Sequence, residues 1–588
     1  MSHAIREGAR FVYGPEGDTV AHELEKLAAA YRQRHPRPFI AAAERMNEHD
    51  AFLITYAHTL QSPGEAPLRT LGRWLGTHLA DTVSIVHLLP FYPWSSDDGF
   101  SVKDYRAVDP RYGSWQDVRA VGKDHRLMFD AVINHASAQG SWFEAYLQGI
   151  EPQRGWFRSE DKDSDTASVV RPRVTPLLTP FETKDGTRWL WTTFGPDQVD
   201  LDYRDPSLLL EIADVLLFYA EQGADVLRMD AVTYLWKELG TPSVHHPKTH
   251  GVLRLLRAFL EAAAPWMVVL TETNVPHAEN LSYFGSGHDE AQMVYNFALP
   301  PLVLHSFLQQ DTQALHAWAA SLETPSEETW FLNFLASHDG IGVRPVEALL
   351  PREAIDAMVA HTLRRGGGVG MKRESDGSET PYELNINYLD ALADPDLPPD
   401  DPRNVARFAA AHAVMMALPG VPAIYIHSLL GSEGSPELVA ETGMARSINR
   451  ATLDAASVEE ELQDPTSRRA QVLHALQALL RARRHPSFHP NAAFEVLPTT
   501  NGVFGVRRGN EVPVYALHNL TNQTQQIDLL VAGRDLLTGA VHQAATAELP
   551  PFSVLWLEAA STPDAVNREP GQSSTLQRDV VGRNDHGD

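Results

Sequence analysis

The sequence predicts an α/β fold: a (β/α)8 TIM barrel with a small domain inserted after strand three and a C-terminal antiparallel β domain. Three observations predict it. Eight short apolar runs recur along the chain, amphipathic helical stretches separate several of them, and ionisable residues follow five of the runs. Eight strand–helix repeats favour a closed parallel barrel over an open sheet.

The predicted strands are short apolar segments, and the stretches between them have helical periodicity. Residues 207–221, for example, place Leu208, Ile212 and Val215 on one face and are followed by Gly223. The eight predicted strands are Phe52–Tyr56, Val83–Leu89, Leu127–Ile133, Val226–Met229, Met267–Leu270, Met293–Phe297, Trp330–Leu335 and Ala423–Ile426.

Shifts in pattern along the chain suggest a domain division. A charged helical start precedes the first strand, two connections are too long for simple crossovers, and short alternating strands replace the helices after about residue 486. We expect an N-terminal helical extension (1–50), a barrel (51–135 and 205–485), an inserted domain (136–204), a long loop region within the barrel (340–400), a C-terminal β domain (486–560) and a disordered tail (561–588).

Composition excludes several classes of partner. Of the 588 residues, 49 are Lys or Arg and 76 are Asp or Glu, so the net charge is −27. Such a surface repels nucleic acid and anionic membranes. The absence of cysteine excludes disulfides and thiolate metal sites. Without a signal-like start or an apolar run approaching 18 residues, a cytoplasmic protein is expected; its oligomeric state stays open.

Ionisable residues gather where the predicted strands end, which is the active-site face of such a barrel. They lie in Asp97–Phe100, Asn134–His135, Arg228–Asp230, Glu272–Asn274 and His338–Asp339. Any one of these residues is explained by a cap or a loop salt bridge. A group of mutually repelling carboxylates costs stability, however, and therefore indicates a functional site.

These strand ends resemble, in order, the four short conserved regions of glycoside hydrolase family 13, the α-amylase family, over roughly residues 51–560. The resemblance implies that Asp230 is the nucleophile, Glu272 the general acid/base and Asp339 the stabiliser of the transition state. It further implies that Arg228 orients Asp230 and lowers its pKa. Glucose would be bound by His135, His338, Asp97 and Phe100.

The implied chemistry is a retaining double displacement through a β-linked glucosyl-enzyme, for which the two carboxyl groups should lie roughly 5–5.5 Å apart. No metal or cofactor is required. Within the family, several segments resemble the sucrose phosphorylase group, which uses inorganic phosphate instead of water. They include residues 194–202, 296–302 and 446–450. That resemblance adds Phe194, Gln198, Tyr234 and Arg450 to the predicted pocket.

The leaving group is less strongly specified. Sucrose phosphorylases usually carry His two residues after the acid/base, whereas this chain has Asn274, and residues 366–388 are similar to the glucosylglycerate phosphorylase branch. An anionic glycerate needs a cationic partner, for which Lys372 and Arg373 are candidates, and Tyr382 is expected to close the site. Two alternatives explain the same cations: they belong to a solvated basic loop, or they bind phosphate.

The expected partners are therefore small molecules, an α-glucoside and inorganic phosphate. The leading hypothesis is a phosphorylase of 2-O-α-glucosylglycerate. Sucrose or glucosylglycerol phosphorylase, an α-glucoside hydrolase or transglucosidase, and a non-catalytic barrel are the alternatives. The last is disfavoured because Asp230, Glu272 and Asp339 are all present.

Overall fold

The computed structural model describes residues 2–37, 40–173, 175–373, 378–398 and 401–560. The tail predicted to be disordered, 561–588, lies outside the described residues. The side chain of Arg373 does too, although its backbone is described.

Eight parallel strands form a closed barrel in the order β1-β8-β7-β6-β5-β4-β3-β2. The predicted (β/α)8 barrel is thereby confirmed, and each strand bound lies within two residues of the predicted one. The strands are β1 (Phe52–Thr55), β2 (Ile85–Leu88), β3 (Arg126–Ala131), β4 (Ala224–Met229), β5 (Val268–Thr271), β6 (Met293–Tyr295), β7 (Trp330–Phe334) and β8 (Val421–Tyr425).

The barrel strands are almost wholly buried because helices cover them outside and their inward side chains fill the interior. The helices begin where local chemistry favours it: Asp205 accepts the Ser207 N–H and Pro206 occupies the first turn of α6. The helices are α1 (Ser2–Tyr13), α2 (Gly17–Arg34), α3 (Pro67–His78), α4 (Trp115–Val121), α5 (Ser141–Leu147), α6 (Pro206–Glu221), α7 (Pro247–Ala263), α8 (His277–Leu281), α9 (Leu299–Gln309), α10 (Gln313–Ala319), α11 (Arg352–Arg364), α12 (Tyr388–Leu392), α13 (Pro402–Ala417), α14 (Ile426–Leu429), α15 (Pro436–Thr442), α16 (Ala455–Gln463) and α17 (Arg468–Ala482).

Two long segments rise from the carboxyl ends of the strands. The segment between β3 and β4 returns to its starting point, because His135–Ser137 pairs antiparallel with Gln198–Asp200. It also holds a three-stranded sheet of Ser159–Glu160, Leu178–Thr183 and Gly186–Trp191. The segment between β7 and β8 forms a second three-stranded sheet, which we call the loop sheet: Ile341–Gly342, Gly368–Arg373 and Glu379–Asn385.

The C-terminal part is an antiparallel β structure, as predicted for the fold class. Its main sheet has six strands, in the order Phe494–Val496, Val503–Arg508, Val514–Asn519, Val554–Ala559, Gly533–Asp535 and Val541–His542. Gln525–Asp528 pairs separately with Thr546–Leu549. Buried leucine and valine side chains fill the space between the two sheets.

The N-terminal helices α1 and α2 pack on the outside of the barrel against α6 and α7. Ile5, Ala9 and Val12 are buried along α1. Gly251 of α7 allows the close approach, since a Cβ at that position would lie 2.6 Å from the Phe11 ring. Across the described ranges, no helix combines the length and apolar character that crossing a membrane requires.

Candidate active site

A cavity opens at the carboxyl ends of the barrel strands. It brings together twelve of the fifteen residues predicted from the sequence; the other three are Arg450, Lys372 and Arg373. The twelve are Asp97, Phe100, His135, Phe194, Gln198, Arg228, Asp230, Tyr234, Glu272, His338, Asp339 and Tyr382.

Two carboxylates lie side by side at the ends of neighbouring strands. Met229 of β4 is in register with Thr271 of β5, so Asp230 and Glu272 emerge at the same level. Immediately after Asp230, Ala231 has a φ of 52°, a left-handed conformation that costs free energy for a residue with a Cβ. This turn allows the Ala231 N–H to donate to Glu272 Oε2 at 3.1 Å.

The guanidinium of Arg228 bridges two acids below the cavity. Its Nη1 donates to Asp230 Oδ1 at 2.9 Å and also contacts the carboxylate of Asp130. Asp130 is held from its other side by His87 Nε2 at 2.6 Å. This buried network fixes the orientation of the Asp230 carboxylate.

Burial raises the pKa of both facing acids. For Glu272, burial is the largest cause and Arg228 opposes it. For Asp230, burial also outweighs the lowering by Arg228, and the negative charge of Glu272 raises the pKa further. The expected lowering by Arg228 is therefore real but not dominant, which corrects the expectation from the sequence. The two carboxyl groups titrate as a pair.

Asp339, at the end of β7, lies between two arginines. Arg446 Nη1 is 2.8 Å and Arg450 Nη2 is 3.3 Å from Asp339 Oδ1. Burial alone would raise the pKa of Asp339, but the surrounding cations, first among them Arg446, hold it well below its usual range. Asp339 is therefore a fixed negative charge beside the acid pair.

The two histidines of the cavity are neutral at physiological pH, because burial lowers the pKa of His135 to about 4 and that of His338 to about 3. The His338 ring stacks on Phe100 with ring centroids 5.0 Å apart. Gln198 Nε2 lies 3.4 Å from Asp97 Oδ2 and 3.3 Å from His135 Nε2. Flat rings and neutral polar groups of this kind suit sugar hydroxyls.

Of the two arginines in the segment 446–450, Arg446 lines the cavity and the predicted Arg450 does not. Arg446 is the second residue of the 3₁₀-helical turn Ala445–Asn449 and faces the cavity, whereas Arg450 follows the last residue of the turn. Arg450 lies behind it, where its side chain donates to the His338 carbonyl at 3.0 Å and to Asp98 Oδ2 at 2.7 Å. Arg450 therefore supports the turn that carries Asp97 and Asp98, whose φ angles of 52° and 47° are left-handed.

Lys372 does not line the cavity. Its ammonium pairs with Glu347 Oε1 at 3.1 Å, which corrects the predicted contact with an anionic leaving group. The predicted role of Arg373 concerns a side chain outside the described part of the chain.

Besides Arg446, the sequence-based prediction missed further lining residues, among them Arg173, Asn274 and Glu383. Arg173 comes from the segment inserted after β3, and the described residues offer it no carboxylate partner. The Asn274 Oδ1 atom is buried, and among the described residues it has no hydrogen-bond partner. Arg173 and Glu383 belong to the two long connections outside the barrel repeat, where no sequence pattern singled them out. Asn274 was noted only as a departure from His.

Comparison with known proteins agrees with this geometry. Residues 82–344 match the alpha amylase catalytic domain. The chain is 48% identical over 509 residues to a glucosylglycerate phosphorylase of Spirochaeta thermophila, covering 86% of each protein. It is 42% identical to the glucosylglycerate phosphorylase of Escherichia coli, over 95% of this chain and 100% of that protein. It is 33% identical to a sucrose phosphorylase of Agrobacterium vitis, over 76% and 90% of the two.

Among solved structures, the sucrose 6F-phosphate phosphorylase of Thermoanaerobacter thermosaccharolyticum superposes with a TM-score of 0.70. The superposition covers 80% of this chain and 94% of that one, at 24% identity, and supports the fold alone. The sequence relatives carry the assignment further. The chain belongs to the α-amylase family, glycoside hydrolase family 13, and within it to the glycoside phosphorylases.

Proposed function

We propose that the protein is a retaining phosphorylase that cleaves 2-O-α-D-glucosylglycerate with inorganic phosphate to α-D-glucose 1-phosphate and D-glycerate. The observation that carries the proposal is a pair of acids, Asp230 and Glu272, that face the same cavity as a cation, Arg173, which has no carboxylate partner among the described residues. The names of the relatives at 42% and 48% identity suggest the leaving group.

In the first half-reaction, Asp230 attacks the anomeric carbon while Glu272 gives its proton to the leaving oxygen. We assign the negative charge to Asp230 because it contacts the Arg228 guanidinium, whereas Glu272 accepts only a backbone N–H. The bond between the glucosyl carbon and the glycerate oxygen breaks, and a covalent β-glucosyl ester forms on Asp230.

In the second half-reaction, a phosphate oxygen attacks the same carbon from the face that glycerate has left. Glu272, now ionised, accepts the phosphate proton, and the ester bond to Asp230 breaks. Two inversions give α-D-glucose 1-phosphate with net retention. Since inorganic phosphate is an intracellular metabolite, we propose a cytoplasmic location.

Glucose binding is proposed to use the neutral wall of the cavity together with two fixed acids. His135, His338 and Gln198 donate to or accept from hydroxyls, and Phe100 packs against the sugar ring. Asp339 and Asp97 accept hydrogen bonds from sugar hydroxyl groups, and these hydrogen bonds strengthen as positive charge develops on the glucosyl unit.

The anionic partners, glycerate and phosphate, are proposed to occupy the same subsite in turn, near Arg173. Two phenols, Tyr234 and Tyr382, lie within the electrostatic reach of Arg173. Burial raises the pKa of Tyr234 to about 12 and that of Tyr382 above its usual range, so both remain protonated donors. A guanidinium and two hydroxyl groups match a carboxylate or a phosphate.

Replacing Arg173 with Ala is expected to raise the KM for phosphate and for glucosylglycerate roughly tenfold to a hundredfold, the value of a hydrogen bond to a charged group. The kcat should change far less, because Arg173 does not contact the reacting acids in the structure. Steady-state kinetics in both directions give the result. Arg154→Ala is the matched control: Arg154 lies in the same inserted segment, is 54% exposed and pairs with Asp185. Equal effects of the two changes would contradict the assignment.

The test of the proposed function is release of glucose 1-phosphate by the purified protein with phosphate and, separately, glucosylglycerate, sucrose or glucosylglycerol. Product from glucosylglycerate at the highest kcat/KM supports the proposal. Product mainly from sucrose or glucosylglycerol would agree with the proposed mechanism but show that the leaving group is not glycerate. Free glucose at a rate independent of phosphate identifies a hydrolase instead.

A further inference from the structure

Glu383 has no part in the chemistry above, yet its carboxylate is deeply buried on the cavity wall, with a side-chain exposure of 3%. It belongs to the loop sheet, in the strand Glu379–Asn385. Both of its oxygens bind the Arg446 guanidinium: Nε donates to Oε2 at 2.9 Å and Nη2 donates to Oε1 at 3.0 Å. This is a bidentate pair, the geometry that best fixes the plane of an arginine.

The third nitrogen of the same guanidinium forms an ion pair with Asp339. Arg446 Nη1 lies 2.8 Å from Asp339 Oδ1, so one planar group joins the two carboxylates. Because the guanidinium is rigid, holding two of its nitrogens on Glu383 determines where the third one points.

A second connection runs through the backbone. The N–H of Gly340, the residue after Asp339, donates to Glu383 Oε1 at 3.2 Å. The backbone at Gly340 packs directly against the strand that carries Glu383. A Cβ on Gly340 would lie 2.5 Å from the Leu384 carbonyl oxygen and 2.7 Å from Glu383 Cγ. Glu383 therefore holds Asp339 both through its arginine partner and through the adjacent peptide.

We infer that Glu383 is a positioning residue for the glucosyl transfer, which acts by fixing Arg446 and, through it, Asp339. The inference rests on the proposed function in that it assumes glucosyl transfer at this site. The loop sheet, which contains Glu383, then helps to orient Asp339, the third acid of the cavity.

The charge of Glu383 matters as well as its geometry. The transition state of glucosyl transfer carries positive charge on the sugar. With Glu383 ionised, the positive charge of Arg446 is balanced by two carboxylates. Without that ionised carboxylate, Arg446 would present excess positive charge to a cationic transition state, and Asp339 would be less available to the sugar.

The test compares Glu383→Gln and Glu383→Asp with the wild-type protein on α-D-glucosyl fluoride, measuring fluoride release. Fluoride needs no recognition as a leaving group, so this assay isolates the glucosyl side of the cavity. We expect Glu383→Gln to lower kcat about a hundredfold, the cost of a misplacement near the reacting centre, with little change in KM. Glu383→Asp, which keeps the charge, should recover part of the loss.

The matched control is Glu347→Gln, which breaks the ion pair with Lys372 of the same loop sheet. It should leave fluoride release unchanged, and thermal melting should show all three variants folded. If Glu383→Gln does not fold, the same comparison is made with Glu383→Asp alone, whose kcat should fall while its melting temperature stays near that of the wild type.

A double change separates positioning from direct contact. If Glu383 acts through Asp339, Asp339→Asn with Glu383→Gln should be no slower than Asp339→Asn alone. Additive losses would overturn the inference, as would an unchanged kcat of Glu383→Gln or an effect confined to the KM of phosphate. Wild-type fluoride release without phosphorolysis of glucosylglycerate would reject the proposed function and leave this comparison valid.

Discussion

Replacing Asp230 with Asn is expected to lower glucosyl transfer on the order of 10⁴-fold or more, the typical cost of removing a nucleophile. The amide keeps the size of the side chain but cannot form the glucosyl ester. The contact with Arg228 Nη1 at 2.9 Å is retained through the amide oxygen, so the fold should be unaffected. The measurement is kcat/KM for glucose 1-phosphate formation and for fluoride release from α-D-glucosyl fluoride.

The covalent step has a direct readout. Wild-type protein quenched in acid during turnover of glucosyl fluoride should carry one glucosyl unit on the peptide that contains Asp230, and Asp230→Asn should carry none. Asp214→Asn is the matched control, because Asp214 is an exposed partner of Arg106 on the outer helix α6. An adduct on another residue, or full activity of Asp230→Asn, would reject Asp230 as the nucleophile.

Replacing Glu272 with Gln is expected to slow cleavage of glucosylglycerate about 10²- to 10⁴-fold, the range for removal of a general acid. The loss should depend on the leaving group. Glycerate leaves as an alkoxide unless it is protonated, whereas fluoride leaves without a proton. Formation of the glucosyl-enzyme from glucosyl fluoride should therefore be nearly unchanged. Glu279→Gln, at a half-exposed carboxylate away from the cavity wall, is the control.

The pH profile provides a second check on Glu272. Burial raises its pKa, so the protonated form needed for the first step persists to higher pH than for an exposed Glu. The kcat/KM for glucosylglycerate should fall as the pH rises through this pKa, and the falling limb should disappear in Glu272→Gln. A falling limb that persists in the variant would assign the titration to another group.

The barrel was predictable from the sequence because its strands are apolar runs buried by their neighbours, so local pattern and tertiary position agree. The acids near the strand ends were predictable for the same reason: Asp230 and Glu272 each follow a strand directly, and Asp339 lies five residues after β7 ends at Phe334. Once the end of a strand is known, the residues that follow it must lie at the carboxyl-end face of the barrel. The strand bounds shifted by no more than two residues.

The rest of the site depends on contacts between distant segments. The spacing of Arg446 and Arg450 on a short 3₁₀ turn does not reveal which of them faces the cavity. Lys372 appeared available from its sequence context, yet it pairs with Glu347, twenty-five residues earlier. Arg173 lies in a Pro-rich stretch without periodicity. Side chains on such loops are placed by long-range packing, which a single sequence does not encode in any local pattern.

The residues of the cavity wall come partly from the barrel and partly from the two long segments between its strands. The acids and the two histidines of the cavity come after barrel strands, whereas Arg173 comes from the inserted segment and Tyr382 from the loop sheet. Both segments leave and rejoin the barrel through short paired strands, so their interiors can change length and composition without moving the acids. New leaving-group preferences can therefore evolve by exchange of these two segments, provided that a replacement loop sheet still presents a carboxylate to Arg446.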